Sequence, residues 1–321
     1  MVEADLRRLS ALRALAEHGT VTAAATALHL TPSAVSQQIA QLGREVGVTL
    51  LRHEGRHVRL TPAAHVLLEH GEVLRTQWER AKADLAAHAA GLGGTLRLCG
   101  VSSAVAALAA PAVTRLQRTH PRLQTRITEE ESADCYQLLL TDEADIAMVL
   151  PTPDAPSTVD PRFEQQPLLD DPLDLLVPRG HRLAEEGYAE LAAAAGEPWI
   201  VKKHNNDTYA LLTVACAAAG FTPRVTHEVK EWYAVSALVG EGLGVCLLPR
   251  MVPVPSTHRV VRVPLHGEPV PSRRLIACVR RGSAGHPVVA AGLSALHRVA
   301  AADEEPPRPP SARPSARTPR P

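Results

Sequence analysis

The stretch TPSAVSQQIAQLGREVGV, residues 31–48, carries apolar side chains at helical spacing. Val35, Ile39, Leu42 and Val46 lie at i, i+4, i+7 and i+11, so they form one stripe of a helix that packs on a core. The opposite face and its flanks carry Ser33, Ser36, Gln37, Gln38 and Gln41. Serine and glutamine both donate and accept hydrogen bonds, which suits the edges of base pairs in a major groove. The alternative is an ordinary surface helix rich in glutamine.

The residues around the start of this helix predict a second helix and a tight turn. Thr31 is a natural N-cap and Pro32 a natural first helical residue, so the first backbone N–H groups are available to a phosphate. Residues 19–30, GTVTAAATALHL, predict a short helix capped by Thr22. A three-residue turn, residues 29–31, joins the two helices. Together they predict a helix-turn-helix, in which the second helix reads the bases.

A short hairpin is predicted after the reader helix, in residues 50–64, LLRHEGRHVRLTPAA. Polar turn residues and an alternating run indicate two strands, as in a winged helix-turn-helix. Arg52, Arg56 and Arg59 are predicted to contact backbone phosphates. Each arginine taken alone fits a solvated surface residue better than a phosphate contact, and the prediction depends on their shared position beside the helix-turn-helix.

Residues 6–64 resemble the LysR-type transcriptional regulators, because caps, turn, reader helix and wing arrive in the family's order. The chain departs from the family pattern at Gln37, where many members carry a basic residue, and at Leu51 and Ala64, where phenylalanine and glycine are usual. Gly43 replaces a helix-favouring glutamate, which is expected to weaken the reader helix by up to about 1 kcal/mol. Because Gln37 is not basic, the target sequences of better-known members do not carry over.

Length and composition are typical of a two-domain cytoplasmic protein. The chain has 321 residues, 45% of them hydrophobic, and a net charge of zero. Residues 1–64 carry seven arginines against five acidic residues. The sequence shows no signal peptide and no long apolar run, so we expect the protein neither to be secreted nor to insert into a membrane. The five cysteines are odd in number and lack CxxC spacing, so they are expected to be buried, reduced side chains.

One long helix is predicted from Pro62 to about Ala90. Apolar or small residues recur every three or four positions as a heptad seam, at Leu67, Gly71, Leu74, Trp78, Ala81 and Leu85. The alternative is a helix packed only on its own domain. The resemblance favours a partner helix from a second chain, since family members dimerise through the equivalent helix and commonly form tetramers.

Strands and helices alternate after Gly93, which predicts an α/β fold with mostly parallel sheets. One of the predicted strands is Leu173–Pro178. The resemblance implies two subdomains joined by two crossings, like a periplasmic binding protein. The predicted domains are a winged helix-turn-helix at 1–64, a dimerisation helix at 65–92, an effector-binding domain at 93–302 (subdomain I about 95–167 and 270–301, subdomain II about 168–269) and a disordered Pro/Arg-rich tail at 303–321.

The cleft between these subdomains is predicted to bind a small acidic effector, because ligands lie beyond the carboxyl ends of strands and near helix N-termini. The predicted effector-binding residues follow three strands and are Ser102, Ser103, Lys202, Lys203, Asn205, Thr208, Glu231 and Trp232. Three alternatives stay open. Ser102 or Ser103 is only a helix cap, one of the two lysines is only a solvated surface residue, or Trp232 packs in the core.

Motifs for chemistry are absent from the sequence. GEGLGV, residues 240–245, precedes a strand, whereas a nucleotide fingerprint follows one, and the histidines show no metal-ligand spacing. No catalytic residue, metal or cofactor is therefore expected. The expected partners are double-stranded promoter or operator DNA, a small-molecule effector, a second copy of the chain as homodimer or homotetramer, and RNA polymerase if the protein is an activator. The rival functions are a cysteine-based redox sensor of the same family and a solute-binding protein.

Overall fold

The computed structural model describes residues 2–54, 57–88, 92–152, 155–202, 207–267 and 270–303. Arg56, Lys203, Asn205 and the predicted tail from 304 onward lie outside the described residues. The helices are α1 (Val2–His18), α2 (Val21–Ala27), α3 (Pro32–Val46), α4 (Pro62–Ala87), α5 (Ser102–Ala104), α6 (Ala110–Thr119), α7 (Ser132–Leu140), α8 (Asp207–Ala218), α9 (Trp232–Gly240) and α10 (Pro287–Asp303). A π-helical turn, Val105–Ala109, connects α5 to α6, and short 3-10 helices lie at Arg182–Ala184 and Leu191–Ala194.

The N-terminal domain packs α1, α2 and α3 around one apolar core, with the hairpin of β1 (Leu51–Glu54) and β2 (His57–Leu60) beside them. Val35, Ile39 and Leu42 are buried in that core, which confirms this part of the predicted stripe. Val46 is 44% exposed, so its inclusion was wrong. The cause is Gly47, whose φ of 74° turns the chain out of the helix immediately after Val46.

The N-caps of the two helices differ in how well the sequence predicted them. Thr31 caps α3 as predicted, and its Oγ1 accepts from the Ala34 N–H at 3.2 Å. The cap of α2 is Thr20, whose Oγ1 accepts from the Ala23 N–H at 3.1 Å, so the assignment of Thr22 was wrong. Thr22 already lies inside the helix, where its carbonyl accepts from the Thr26 hydroxyl.

Gly43 has a packing reason that its helix propensity does not reveal. A Cβ at this position would lie 3.0 Å from the Val48 carbonyl oxygen, and the Gly43 carbonyl accepts from the N–H groups of Gly47 and Val48. The end of α3 therefore folds back over Gly43. A larger residue gains helix propensity but needs the returning chain to shift.

Helix α4 begins at Pro62 after the Thr61 cap and spans 26 residues. Its first turns pack on the N-terminal domain, where Gly71 lies against the Leu9 side chain and Leu67 joins the core. Farther along the predicted seam, Leu74 and Leu85 are 58% and 71% exposed. Part of the seam is thus used within the chain, because α4 packs on α1. Trp78 and Ala81 are half-buried, and Leu74 and Leu85 are uncovered.

The α/β region has two lobes that share a long strand. The strands are β3 (Gly94–Gly100), β4 (Leu123–Glu129), β5 (Ile146–Val149), β6 (Phe163–Pro178), β7 (Ala189–Glu190), β8 (Pro198–Lys202), β9 (Arg224–Val229), β10 (Cys246–Pro249), β11 (Val260–His266) and β12 (Ser272–Arg280). The sheet order is β4-β3-β5-β12-β6-β11-β7, with β10 also paired to β6 and β8 paired to β9. The strand predicted at Leu173–Pro178 is real but starts at Phe163.

Strands β6 and β12 are the two connections between the lobes. The first half of β6 pairs with β12 beside β3, β4 and β5, and its second half pairs with β10 and β11. We call the unit with β3, β4, β5, α5–α7 and α10 the first lobe, and the unit with β7–β11, α8 and α9 the second lobe. Each lobe has its own buried apolar clusters on the two faces of its sheet. We call the part of β6 and β12 where the two lobes join the hinge.

Candidate functional site

The polar face of α3 is presented to solvent at its N-terminal half. Ser33, Ser36 and Gln37 are exposed, and Gln38 is half-buried. Gln41 differs, because its amide Nε2 donates to Glu45 Oε1 at 2.7 Å and its Oε1 accepts from Arg44 at 2.6 Å. The first three side chains are therefore the ones best placed to meet a base, whereas Gln41 would first have to leave its internal partners.

The start of α3 is suited to an anion. Thr31 uses its hydroxyl on the Ala34 amide, Pro32 has no amide proton, and no acidic residue lies in the first turn. The remaining amide groups of that turn carry the positive end of the helix dipole. This geometry fits a phosphate at the helix start.

The hairpin holds two arginines directly opposite each other. Arg52 of β1 pairs with Arg59 of β2 in the antiparallel register, and both are exposed. Side chains at directly opposed positions point to the same face of a hairpin, and like charges there repel. Two positive charges on one face of the hairpin suit a contact with a nucleic-acid backbone.

Three of the predicted effector-binding residues meet in one pocket of the second lobe. Lys202, Thr208 and Trp232 line it together with the apolar side chains of Ile200 and Leu212. Lys202 Nζ lies over the Trp232 ring, 5.1 Å from its centre, within the range of a cation–π contact. The pocket encloses about 20 Å³, room for little more than one water molecule. A larger ligand therefore needs the side chains or the lobes to move.

The charges around Lys202 come from both lobes. Burial lowers the pKa of Lys202, and the neighbouring Arg273 lowers it further. The carboxylates of Glu131 and Glu129, from the first lobe, and Glu231, from the second, act in the opposite direction and favour the protonated amine. Charged groups of both lobes therefore act on Lys202.

Ser103 is not a cap, because its hydroxyl is part of an internal network. It is buried and accepts from Arg273 Nη2 at 2.7 Å. The N-cap of α5 is Val101, which makes no side-chain capping bond. Ser102, its neighbour, is half-buried. The structure thus buries Ser103, and its hydroxyl is engaged by Arg273.

The network continues across the hinge. Arg273 of β12 pairs with Asp171 of β6 at 2.9 Å, and both side chains are 2% exposed. Asp171 Oδ1 in turn accepts from the backbone N–H of Met251, which follows β10. We call Ser103, Arg273, Asp171 and the Met251 amide the hinge relay. The sequence showed only charges inside the strands (LLDDPLD and SRR), and neither Asp171 nor Arg273 was predicted.

Glu231 occupies the N-cap position of α9 but makes no side-chain capping bond. Its carboxylate lies 3.8 Å from Lys230 Nζ, and more than half of its side chain is exposed. Trp232 is half-buried and packs against the apolar cluster of β8, β10 and α9 while also lining the pocket. The two alternatives for Trp232, pocket wall and core packing, are therefore both realised.

All five cysteines are free and buried, as expected from their spacing. Burial raises the pKa of Cys216 and of Cys246 to about 12, and it also raises that of Cys278. Among the described residues, no cluster of three His, Cys, Asp or Glu side chains offers a metal site. No helix in the described part of the chain meets the length and hydropathy of a membrane span.

Two protein-family models match successive parts of the chain. Residues 6–65 match "Bacterial regulatory helix-turn-helix protein, lysR family" and residues 89–301 match "LysR substrate binding domain". Similar proteins include the "Transcriptional dual regulator GltC" of Bacillus subtilis (26% identity; 81% of this chain, 86% of GltC) and a "Probable hydrogen peroxide-inducible genes activator" of Streptomyces viridosporus (29%; 87% and 89%). Full-length OxyR from Pseudomonas aeruginosa has a similar structure (TM-score 0.62, 20% identity; 91% and 94%).

Proposed function

The chain belongs to the LysR family of transcriptional regulators, and on that premise we propose that it binds operator DNA sequence-specifically under the control of a small acidic effector. The observation that carries the proposal is the geometry of α3, which exposes Ser33, Ser36 and Gln37 above a buried apolar stripe. The helix start at Thr31 and Pro32, Gln38 and Gln41, and the arginines of the hairpin supply the further contacts in this proposal. The proposal includes the domain boundaries predicted from the sequence.

A dimer is proposed to form through α4. LysR regulators as a family oligomerise, and Val66, Val73, Leu74 and Leu85 of α4 are exposed large hydrophobic residues. Apolar side chains gathered on one helix favour a partner of the same kind. Two α3 helices of a dimer would then enter successive major grooves of an interrupted palindrome. Assembly of two dimers into a tetramer, and contact with RNA polymerase if the protein activates, extend the same proposal.

The effector is proposed to be a small carboxylate held between the lobes. Lys202 supplies the positive charge, Trp232 an aromatic wall and Thr208 a hydroxyl near the start of α8, and the half-buried Ser102 lies across the hinge. The carboxylates of Glu131, Glu129 and Glu231 attract the protonated amine of Lys202. A bound effector carboxylate takes over the attraction of Lys202 from these glutamates. Since two of the glutamates belong to the first lobe, the preferred separation of the lobes then changes. Coupling to DNA requires that the effector bind the two arrangements with different affinity.

A peroxide-responsive regulator is the second candidate, because two similar proteins carry the description "Probable hydrogen peroxide-inducible genes activator". A sensing cysteine needs thiolate character and solvent access. The five cysteines of this chain are buried, and burial raises the pKa of Cys216, Cys246 and Cys278. The small-molecule effector is therefore the better proposal.

Genomic footprinting with the purified full chain tests the proposal. Fragments retained at physiological salt are sequenced, and one enriched interrupted palindrome is the expected result. A panel of small carboxylates is then screened for those that alter the footprint, with neutral amides of the same compounds as controls. Retention that is uniform across the genome and lost at moderate salt would overturn sequence-specific binding, because phosphate contacts alone behave in that way.

A further inference from the structure

Six charged side chains meet where α1, α4 and the segment before β6 come together. They are Arg13 and Glu17 of α1, Glu72 and Arg75 of α4, and Asp160 and Arg162 of the first lobe. We call these six residues the junction cluster. Three arginines and three carboxylates make it electrically neutral, and each of the six side chains is at most 28% exposed.

Arg162 connects the first lobe to the N-terminal domain directly. Asp160 holds its guanidinium in a two-pronged contact, with Nε at 3.0 Å from Oδ1 and Nη2 at 2.8 Å from Oδ2. The remaining nitrogen, Nη1, donates to Glu17 Oε1 of α1. Because Asp160 fixes the plane of the guanidinium, the direction offered to Glu17 is fixed as well.

Arg75 of α4 makes the second connection. Its Nη2 donates to the Ser10 hydroxyl of α1 at 2.7 Å, and its Nη1 approaches the Leu140 carbonyl of the first lobe at 3.4 Å. Glu72 lies beside Arg75 and pairs with Arg13 of α1. One side chain of α4 thus touches both neighbours, and the N-terminal domain contacts the first lobe through two separate arginines.

The position of α1 determines the position of α3. Leu12 and Leu15 of α1 lie in the same core as Val35 and Ile39, and Arg8 of α1 pairs with Glu45 of α3 at 2.8 Å. The two helices therefore move as one body. Fixing α1 to the first lobe fixes the direction in which the exposed face of α3 points.

We propose that the junction cluster sets the orientation of the DNA-binding domain on the first lobe of its own chain, with Arg162 as the positioning residue. This inference rests on the proposed function, since it names where the effector domain and the reader helix are mechanically joined. A contact made of ion pairs and hydrogen bonds is reversible in the way a hydrophobic core is not. The cluster is thus a contact that can open while α4 stays paired to the first lobe through Glu79 and Arg280, and added salt favours the open state.

Single-molecule FRET in the full chain measures this orientation. Thr26→Cys on α2 and Arg118→Cys on α6 of the first lobe are exposed labelling positions, and the five native cysteines are buried. Labelled chains are mixed with excess unlabelled chain, so that each assembly carries one dye pair. We expect one narrow FRET population at low salt, which broadens as NaCl is raised because the exposed part of the cluster is screened.

Variants separate the cluster from a general charge effect. Arg162→Ala and Glu17→Arg are expected to broaden the FRET population at low salt. Arg162→Lys is expected to give a width between those of the parent and Arg162→Ala, because lysine keeps the charge but loses the two-pronged guanidinium contact. Glu69→Arg is the matched control, since it makes the same charge change at an exposed position of α4 and should leave the population narrow. The milder Glu17→Gln replaces Glu17→Arg if that chain does not fold.

DNA selection supplies the functional readout. With half-sites joined by spacers of different length, the parent is expected to retain a narrow range of spacers and Arg162→Ala a wider one. An unchanged FRET population in folded Arg162→Ala and Glu17→Arg would overturn the role of the cluster, whatever DNA is bound. Loss of sequence-specific retention by the parent would instead overturn the proposed function and leave the FRET result standing.

Discussion

The polar face of α3 and the hinge relay use similar side chains in opposite ways. Ser33, Ser36 and Gln37 lie within five residues of sequence and are exposed. In the relay, Ser103 and Arg273 are 170 residues apart and buried, and their hydrogen bond is made within the chain. An exposed polar face keeps its hydrogen-bonding capacity for a partner, whereas a buried one must satisfy it internally. The first therefore has the properties of the recognition surface proposed above, and the second has those of a structural joint.

The largest effect is expected from breaking the relay. Asp171→Ala leaves the Arg273 guanidinium buried without its carboxylate, which typically costs about 3–5 kcal/mol. Burial raises the pKa of Asp171 even though Arg273 lowers it, so the pair itself is expensive to bury. We expect a loss of this size in the urea unfolding transition that reports the two lobes.

Asp170 is the matched control for this change, since it precedes Asp171 in β6 and pairs with Arg274, which follows Arg273 in β12. Asp170 and Arg274 are both 58% exposed, and surface pairs contribute little. Asp170→Ala should therefore leave the transition almost unchanged. Equal losses for the two variants would remove the distinction between a buried joint and an exposed pair.

The next effect concerns the exposed face. Gln37→Ala removes a side chain that can pair bidentately with adenine, a contact worth about 1–3 kcal/mol of discrimination. We expect a changed base preference at one position in a randomised-site selection. Gln41→Ala is the matched control and should change the preferred site less, because Gln41 is bonded to Glu45 and Arg44. An unaltered preferred site for Gln37→Ala would mean that this residue does not read a base.

Lys202 lies between these two extremes, since it is partly buried and charged groups of both lobes act on it. Its pKa is lowered by burial, so the unfolded chain holds this proton to higher pH than the folded protein does. The stability of the parent relative to Lys202→Met should therefore rise as pH increases from the folded pKa toward 10.5. Urea titrations at a series of pH values check the slope, and NMR of ¹³C-methylated lysines locates the folded pKa. A flat difference would exclude the shift.

The smallest effect is expected from peroxide. The cysteines are buried, and a pKa of about 12 for Cys216 and Cys246 leaves almost no thiolate at neutral pH. We expect neither rapid thiol loss nor a changed DNA footprint after brief peroxide treatment, whereas denatured chain should expose all its thiols to a titrating reagent. A footprint that changes together with the loss of one or two thiols would favour the redox alternative.

Most features of the N-terminal domain could be predicted from local sequence signals. The stripe of Val35, Ile39 and Leu42, the cap at Thr31 and the hairpin strands were all predicted from neighbouring residues. The errors there were local too: Thr20 caps α2 in place of Thr22, and Val46 is exposed because Gly47 ends the helix. Capping and periodicity act over one or two turns, so they leave their mark in a short window of sequence.

Long-range pairing decided the rest of the candidate site. The predicted Lys202, Thr208 and Trp232 do line one pocket, but Ser103 faces Arg273, which no local pattern singled out. Arg162 is likewise an ordinary charged residue until the fold brings Glu17 against it. Charged residues are common on surfaces, and only their burial and partners distinguish a joint from a solvated side chain.

The sequence by itself determined the family, the winged helix-turn-helix and the alternation of strands and helices, because these follow from periodicity, caps and order along the chain. The tertiary structure alone decided which polar groups meet across the hinge and how α1 rests on the first lobe. Those contacts join residues 102 and 145 positions apart in the Arg273–Asp171 and Arg162–Glu17 pairs. Interaction between such distant positions is set by the packing of whole elements, which no short window of sequence contains.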